Sequence, residues 1–197
     1  MNVLIAGLSP CRPDMDLDHL LDNEWEIWAL PWDHPDVVKK ATRFFELHPR
    51  EAVEHPDAAR GRRYIDLLAM LGNEPDARHH GSIYVQDVRH WASIPGAVDY
   101  PLNEIIRELG RDYFGSSIAY MIALAIFERA NHISIWGVQL ADPVYDHQRP
   151  NLEWMIGFAE ARGMVVEIVP PSQLLKHRTV DRIAHLPMIY PKRYGWT

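Results

Sequence analysis

The run YFGSSIAYMIALAIFERANHISIWGV, from Tyr113 to Val138, places a glycine and two serines directly before a long apolar helix that feeds a buried strand. A packing helix needs only one capping hydroxyl at that point. Gly115 adds backbone that can take a positive φ or let a ligand come close. Ser116 or Ser117 can cap the helix while the other hydroxyl stays available. Together with the unpaired amides of the first turn and the helix dipole, this composes an anion site that needs no basic residue. A plain serine cap is the alternative.

A second constellation is YDHQRPNLEW. Tyr145, Asp146, His147, Gln148 and Arg149 crowd the approach to a helix, with Glu153 one turn inside. A histidine is the natural acid or base near neutral pH, and Arg149 can grip a phosphate with two parallel hydrogen bonds. Tyr145 with Glu153 would also permit chemistry on an N-glycosidic bond, Glu153 acting as nucleophile. Each residue has a structural alternative: Asp146 or Asn151 as a cap, Arg149 as a solvated charge, Glu153 as a favourable charge in the first turn. Earlier in the chain, Glu46 and His48 in FFELHP follow a strand and fall on the same side by alternation. They can orient a ribose, act as an acid/base pair, or simply satisfy each other. Gly7 and Ser9 in AGLSP allow a close backbone approach and a hydroxyl contact to phosphate or ribose. The full G-x-G-x-x-G pattern is absent, so no dinucleotide cofactor is indicated. The histidine pair His79–His80 has the wrong spacing for two ligands on one helix face, and no metal site is expected. Trp32 and Trp91 stand beside loop signals and can stack a base, or belong to the core.

The elements needed to position these groups are legible. Val3–Ala6, Trp25–Leu30, Arg43–Leu47, Ser82–Asp87, His132–Val138 and Met164–Val169 read as strands, bounded by glycine, proline or polar turns. Helical spacing marks LDHLLDN, RRYIDLLAMLG, SSIAYMIALAIFERA (with a stripe of Ile118, Met121, Ile122 and Ala125) and PNLEWMIGFAEARG. The last has Pro150 in its first turn and Gly163 at its end. PWDHP reads as a turn, and Glu51–Asp99 is the least clearly punctuated part. Strands alternating with helices predict a single α/β domain over residues 1–197, Rossmann-like, with an open, mostly parallel sheet covered by helices on both faces. The segment from Lys176 to Thr197 is expected to form an irregular flap. In such sheets ligands bind beyond the carboxyl ends of the strands, where the candidate residues cluster.

Composition bounds the partners. A chain of 197 residues can bury a core of its own, and a net charge of -7 opposes non-specific attraction to nucleic acid or anionic lipid. One cysteine excludes an internal disulfide and fits a reducing cytoplasm. The N-terminal apolar run is too short for an export signal, and no segment reaches membrane-spanning length. A homo-oligomer remains open.

The serine pair before an Ala-rich helix, followed by a strand of the form I-x-I-x-G and then polar residues, is similar to the sialyltransferase-type glycosyltransferases. There the equivalent loop holds a cytidine nucleotide. It also resembles motif-associated-factor and pterin pyrophosphokinase-type proteins. Over most of the chain, YFGSSIAYMIALAI, IWGV and QRPNLEW resemble small phage-encoded proteins of the same architecture, a likeness that implies a fold and no activity. Related sequences often carry an acidic residue soon after the I-x-G strand, where it can meet a ribose or a metal. Here the position is Gln139, within GVQLADP, and Asp142 lies three residues on.

The expectation is a nucleotide or nucleotide-sugar user, a glycosyl- or phospho-transferase with phosphates at Gly115–Ser117 and His147 or His48 as acid/base. A binding protein of the same fold that sequesters a nucleotide signal or metabolite without turnover is the alternative. A protein that keeps the sheet for structure alone is the third.

Overall fold

The computed structural model describes residues 1–9, 13–54, 61–73, 82–140, 145 and 147–176. Its centre is a seven-stranded sheet in which every neighbouring pair is parallel: β1 (Asn2–Ala6), β2 (Trp25–Ala29), β3 (Arg43–Glu46), β4 (Ser82–Val85), β5 (Ala97–Asp99), β6 (His132–Trp136) and β7 (Val165–Ile168). Their spatial order is β5-β4-β3-β2-β1-β6-β7. The chain thus builds outward from β1 to β5, then returns to the other side of β1 with β6. The expected α/β, Rossmann-like architecture with a parallel sheet is what forms.

Alternation along each strand divides two cores. Val3 and Ile5 of β1, Phe45 of β3, and Ile133 and Ile135 of β6 face one side. There they meet α5 (Leu102–Leu109), α6 (Ser117–Phe127) and α7 (Arg149–Ala161). Leu4, Ala6, Ile27, Phe44 and Ile83 face the other side. That side is covered by α1 (Leu17–Asp22), α2 (Pro35–Lys40), α3 (Arg50–Glu54) and α4 (Gly61–Asn73). A strand with one apolar set in each core must be apolar at nearly every position, as β1 is.

The helix α6 goes further than the stripe read from the sequence. Ala123, Leu124 and Ile126 are buried along with Ile118, Met121, Ile122 and Ala125. The sheet lies on one side of this helix and α5 and α7 on the others, so its alanines let three neighbours come close. Besides the 3-10 turn Val88–Trp91, four elements were not anticipated. The helix α2 hides in a proline-rich stretch: Pro35 occupies the first turn, where it loses no hydrogen bond, and His34 Nδ1 caps by accepting from the Asp36 amide. The others are α3, the three-residue β5, and α5, which ends on Gly110 at φ 70°. The flap expected from Lys176 onward lies outside the described residues, apart from Lys176 itself.

Candidate functional site

Because β1 is flanked by β2 on one side and β6 on the other, with the connections leaving in opposite directions, a crevice opens at the carboxyl ends of β1 and β6. A cavity of about 590 Å³ occupies it, lined among others by Gly7, Ser9, His48, Gly115, Ser116, Ser117, Gln139, Tyr145 and Gln148. These nine expected residues come from five separate parts of the chain.

The floor is tightly specified. The Gly7 amide donates to the Trp136 carbonyl at 2.7 Å, and the Ser9 amide to the Gly137 carbonyl at 2.9 Å. A Cβ on Gly7 would lie 2.6 Å from Val138 Cγ2 and 2.7 Å from the Gly137 oxygen, so only glycine fits there. Gly137 turns the chain away from β6 at φ 68°. Ser9 Oγ donates to Gln139 Oε1 at 3.2 Å, so the two polar side chains after β1 and β6 hold each other. The stretch after β7 braces them from behind, with Ser172 Oγ donating to the Val138 carbonyl and the Gln173 amide to the Gln139 carbonyl.

The opposite wall is the start of α6. Ser116 is the cap, its hydroxyl accepting from the Ala119 amide at 3.3 Å, and Ser117 is the first helical residue. The amides of Ser117 and Ile118, both on the cavity wall, have no hydrogen-bond acceptor among the described residues. Of the two uses read for Gly115, a positive φ or a close ligand approach, it does not take the first. A Cβ there would touch Asn151 at an ordinary 3.5 Å. The protein's own packing therefore does not demand a glycine at this exposed, cavity-facing position.

Asn151 was read only as a possible cap. It is 1% exposed, its Oδ1 accepts from the Gly115 amide at 3.1 Å, and its Nδ2 donates to the Tyr113 carbonyl. One amide side chain thus fixes the loop before α6 from both ends. The signal was an asparagine beside Leu152 on the apolar face of α7, since a buried amide must find partners.

His48 lies on the wall while Glu46 stands behind it. Glu46 is 1% exposed. Its Oε1 accepts from the His48 ring Nδ1 at 2.6 Å and from the His48 amide at 3.1 Å, and its Oε2 accepts from the Tyr64 hydroxyl. Burial alone would push the Glu46 carboxyl up. The hydrogen bonds from His48 and Tyr64, with the charge of His48, outweigh it and hold the carboxyl below its ordinary value. Tyr64 was read only within the helical run RRYIDLLAMLG, and its hydroxyl partner was not anticipated.

Other expected residues stand apart from the cavity wall. Arg149 Nε donates to Glu153 Oε1 at 2.6 Å, and Glu153 also accepts from the Leu175 amide at 2.8 Å, so this i,i+4 pair ties α7 to the chain after β7. That arrangement leaves Glu153 committed to structure and not placed as a nucleophile. His147 is exposed and off the wall. Asp142, Asp146 and His79–His80 lie outside the described residues. Trp91 is core at 1% exposed. Trp32, 41% exposed, stacks on Tyr64 at 4.9 Å and lines a second cavity of about 630 Å³ between α2 and α4. Among the described residues no His/Cys/Asp/Glu group could hold a metal ion, and no helix is long and apolar enough to cross a membrane.

No protein-family model and no curated protein sequence matches this chain. Solved structures do. The sialyltransferase CstII from Campylobacter jejuni, in complex with the substrate analogue CMP-3FNeuAc, superposes with a TM-score of 0.59 at 18% identity, covering 88% of this chain and 82% of that one. The sialyltransferase CST-II with a trisaccharide acceptor and CMP gives 0.56 at 14% identity, covering 88% and 83%. The Campylobacter jejuni enzyme with cytidine-5'-monophosphate gives 0.55 at 14%, covering 88% and 82%. At these identities the likeness is one of fold.

Proposed function

We propose that this protein binds a nucleotide or nucleotide sugar in the cavity between Gly7 and the Gly115–Ser117 turn, and that it is a transferase acting on that ligand. The observation that carries the reading is the start of α6. Two amides with no acceptor among the described residues, a helix dipole and a glycine that packing does not require belong to residues lining one crevice at the switch point. A phosphate seated there would accept from the Ser117 and Ile118 amides. Ser9 and Gln139 would meet ribose or base, with Tyr145 and Gln148 along the remaining wall. The structural neighbours were solved with CMP or a CMP-sugar analogue, which makes cytidine nucleotides the first ligands to try.

A non-catalytic reading, in which the protein sequesters its nucleotide, draws support from the sparse chemistry of the wall. Its titratable side chains among the described residues are His48 and Tyr145, neither of them a carboxylate.

The test is a thermal-shift series with cytidine, uridine, guanosine and adenosine monophosphates and their nucleotide sugars. Ligand at about a hundred times its Kd stabilises by roughly 2.7 kcal/mol, enough to raise Tm measurably. A shift that Ser117→Ala together with Gly115→Ala removes supports the site, and product analysis on the same ligand separates transfer from sequestration. No shift from any nucleotide sinks the reading.

A further inference from the structure

We propose that the cavity between α2 and α4 is a second ligand site, separate from the crevice, and that it takes a planar aromatic carboxylate.

On this face of the sheet the helices form two pairs, α1 packing on α2 and α3 on α4. The cavity lies in the seam between the pairs. Its volume of about 630 Å³ falls among those of sites that hold small molecules, roughly 300–1,000 Å³. Phe44 of β3 and Leu71 of α4 line it and are themselves buried, so its inner surface is apolar. Two further lining residues, Trp32 after β2 and Met70 of α4, are 41% and 55% exposed. Large apolar side chains left in water on two sides of one cavity mark a place where something apolar is received.

Trp32 indicates the shape of the ligand. One face of its ring is taken by Tyr64, with centroids 4.9 Å apart and planes at 24°. The indole is thus held against a fully buried partner and still contributes surface to the cavity. A flat ring laid on that surface extends the stack by one member, at the roughly 4.5–7 Å that aromatic pairs adopt. The thioether of Met70, soft and adaptable, suits the edge of such a ring.

The polar groups indicate the charge. Lys39 of α2 lines the cavity, is exposed, and has no ion pair among the described residues, whereas the neighbouring Lys40 donates to Asp18. The indole N–H of Trp32 likewise has no acceptor among the described residues. Asp33, the carboxylate of the wall, is 8% exposed and accepts from the His34 amide at 2.6 Å. The charge within easiest reach of a ligand is therefore the ammonium, and its stem adds apolar contact. An aromatic ring with an attached carboxylate matches both features. The crevice and this cavity share no lining residue among those described, although Leu30 lines the one and Pro31 the other.

The test is calorimetric titration of the full chain with 2-naphthoate, with NMR of the Trp32 indole and the Met70 methyl. The wild type should bind at a single site, with both signals moving. The neutral 2-naphthamide should bind more weakly, and the cationic 2-naphthylmethylamine weakest of the three. Lys39→Gln should weaken 2-naphthoate by up to about fivefold, the worth of an exposed ion pair, and leave 2-naphthamide unchanged. Trp32→Leu should weaken both by at least about tenfold, while Trp32→Phe, which keeps a ring on Tyr64, should lose less. Gly115→Ala together with Ser117→Ala should bind 2-naphthoate as the wild type does. Loss of binding in that crevice variant would mean that the carboxylate sits at the start of α6, and would overturn the proposal. So would an amine that binds as well as the acid, undiminished binding in Trp32→Leu, or no binding of 2-naphthoate to the wild type at millimolar concentration.

Discussion

The strand β3, Arg-Phe-Phe-Glu, carries a charge at each end, and the two ends are handled in opposite ways. At the amino end, Arg43 is enclosed. Its guanidinium bonds Glu26 at 2.7 Å and Glu128 at 2.7 Å, donates to the Tyr84 hydroxyl at 3.1 Å, and sits 4.9 Å from the centre of the Trp28 ring. Burial opposes the charge, but the two carboxylates more than offset this and raise the pKa of Arg43. At the carboxyl end Glu46 is equally well bonded, yet one of its partners is a half-exposed histidine on a cavity wall. The first network closes on itself. The second includes a side chain on a cavity wall. The two ends thus pair their charges alike and differ in the exposure of a partner.

The largest effect expected is at the closed end. Arg43→Met would leave two carboxylates facing each other, only 20% and 26% exposed. Breaking such a pair from one side costs about 3–5 kcal/mol when fully buried, and the partial exposure here favours the lower figure. At about 2–4 °C per kcal/mol for a chain of this size, Tm should fall by about 6–12 °C. Nucleotide binding, measured below the transition, should be unaltered. A variant of normal Tm that had lost its ligand would break the comparison, because the two ends would then be coupled.

Next comes the floor of the crevice. Gly7→Ala forces a methyl against the Val138 side chain and the Gly137 carbonyl. Overpacking of this kind costs about 1–3 kcal/mol, read as a lower denaturant midpoint. The β1–β6 hydrogen bonds must shift to relieve it, so ligand affinity should fall together with stability. Unchanged affinity in a destabilised Gly7→Ala protein would remove the floor from the site.

How much of this was legible in the sequence follows from where each signal resides. Six of the strands stand out because apolar runs end in breakers. The strand β5 did not, since its three residues, Ala97 to Asp99, are too few for periodicity and are largely exposed. The helix α2 was missed because prolines read as turns until one of them is known to sit in a first turn. Site residues placed just after strands, such as Gly7, His48 and Gln139, could be named because the architecture fixes where strand ends converge. Partnerships across the fold could not. The bond from Tyr64 to Glu46 joins residues that only the packing of α4 on β3 brings together. Arg149 and Glu153 are the reverse case: their i,i+4 spacing announced a mutual pair, and the crowd of polar residues around them suggested a site instead.

A smaller effect separates the two ends by pH. The Glu46 carboxyl is depressed in the folded state, so its contribution to stability is present above its unfolded pKa and is lost as pH falls through its folded value. The denaturant midpoint of the wild type should decline on acidification through and below the usual carboxylate range. Glu46→Gln should flatten part of that decline. Arg43 itself stays charged throughout this range, so a change confined to it should lower stability without removing the Glu46 part of the pH dependence. An identical acid profile in wild type and Glu46→Gln would show that protonation of Glu46 is not linked to folding.

The smallest effect on stability is expected where the ligand effect is clearest. Gly115→Ala adds a methyl that meets only ordinary contacts with Asn151, at a residue whose φ is not positive. An exposed change of this kind moves stability by within about 0.5 kcal/mol. The same methyl stands beside the Ser117 and Ile118 amides, where a phosphate would have to come close. Thermal melts should therefore coincide for the two apo proteins and diverge once nucleotide is added, with the variant showing the smaller rise. Equal rises would mean that bare backbone at residue 115 is not what admits the ligand, and the open end of the comparison would then rest on His48 alone.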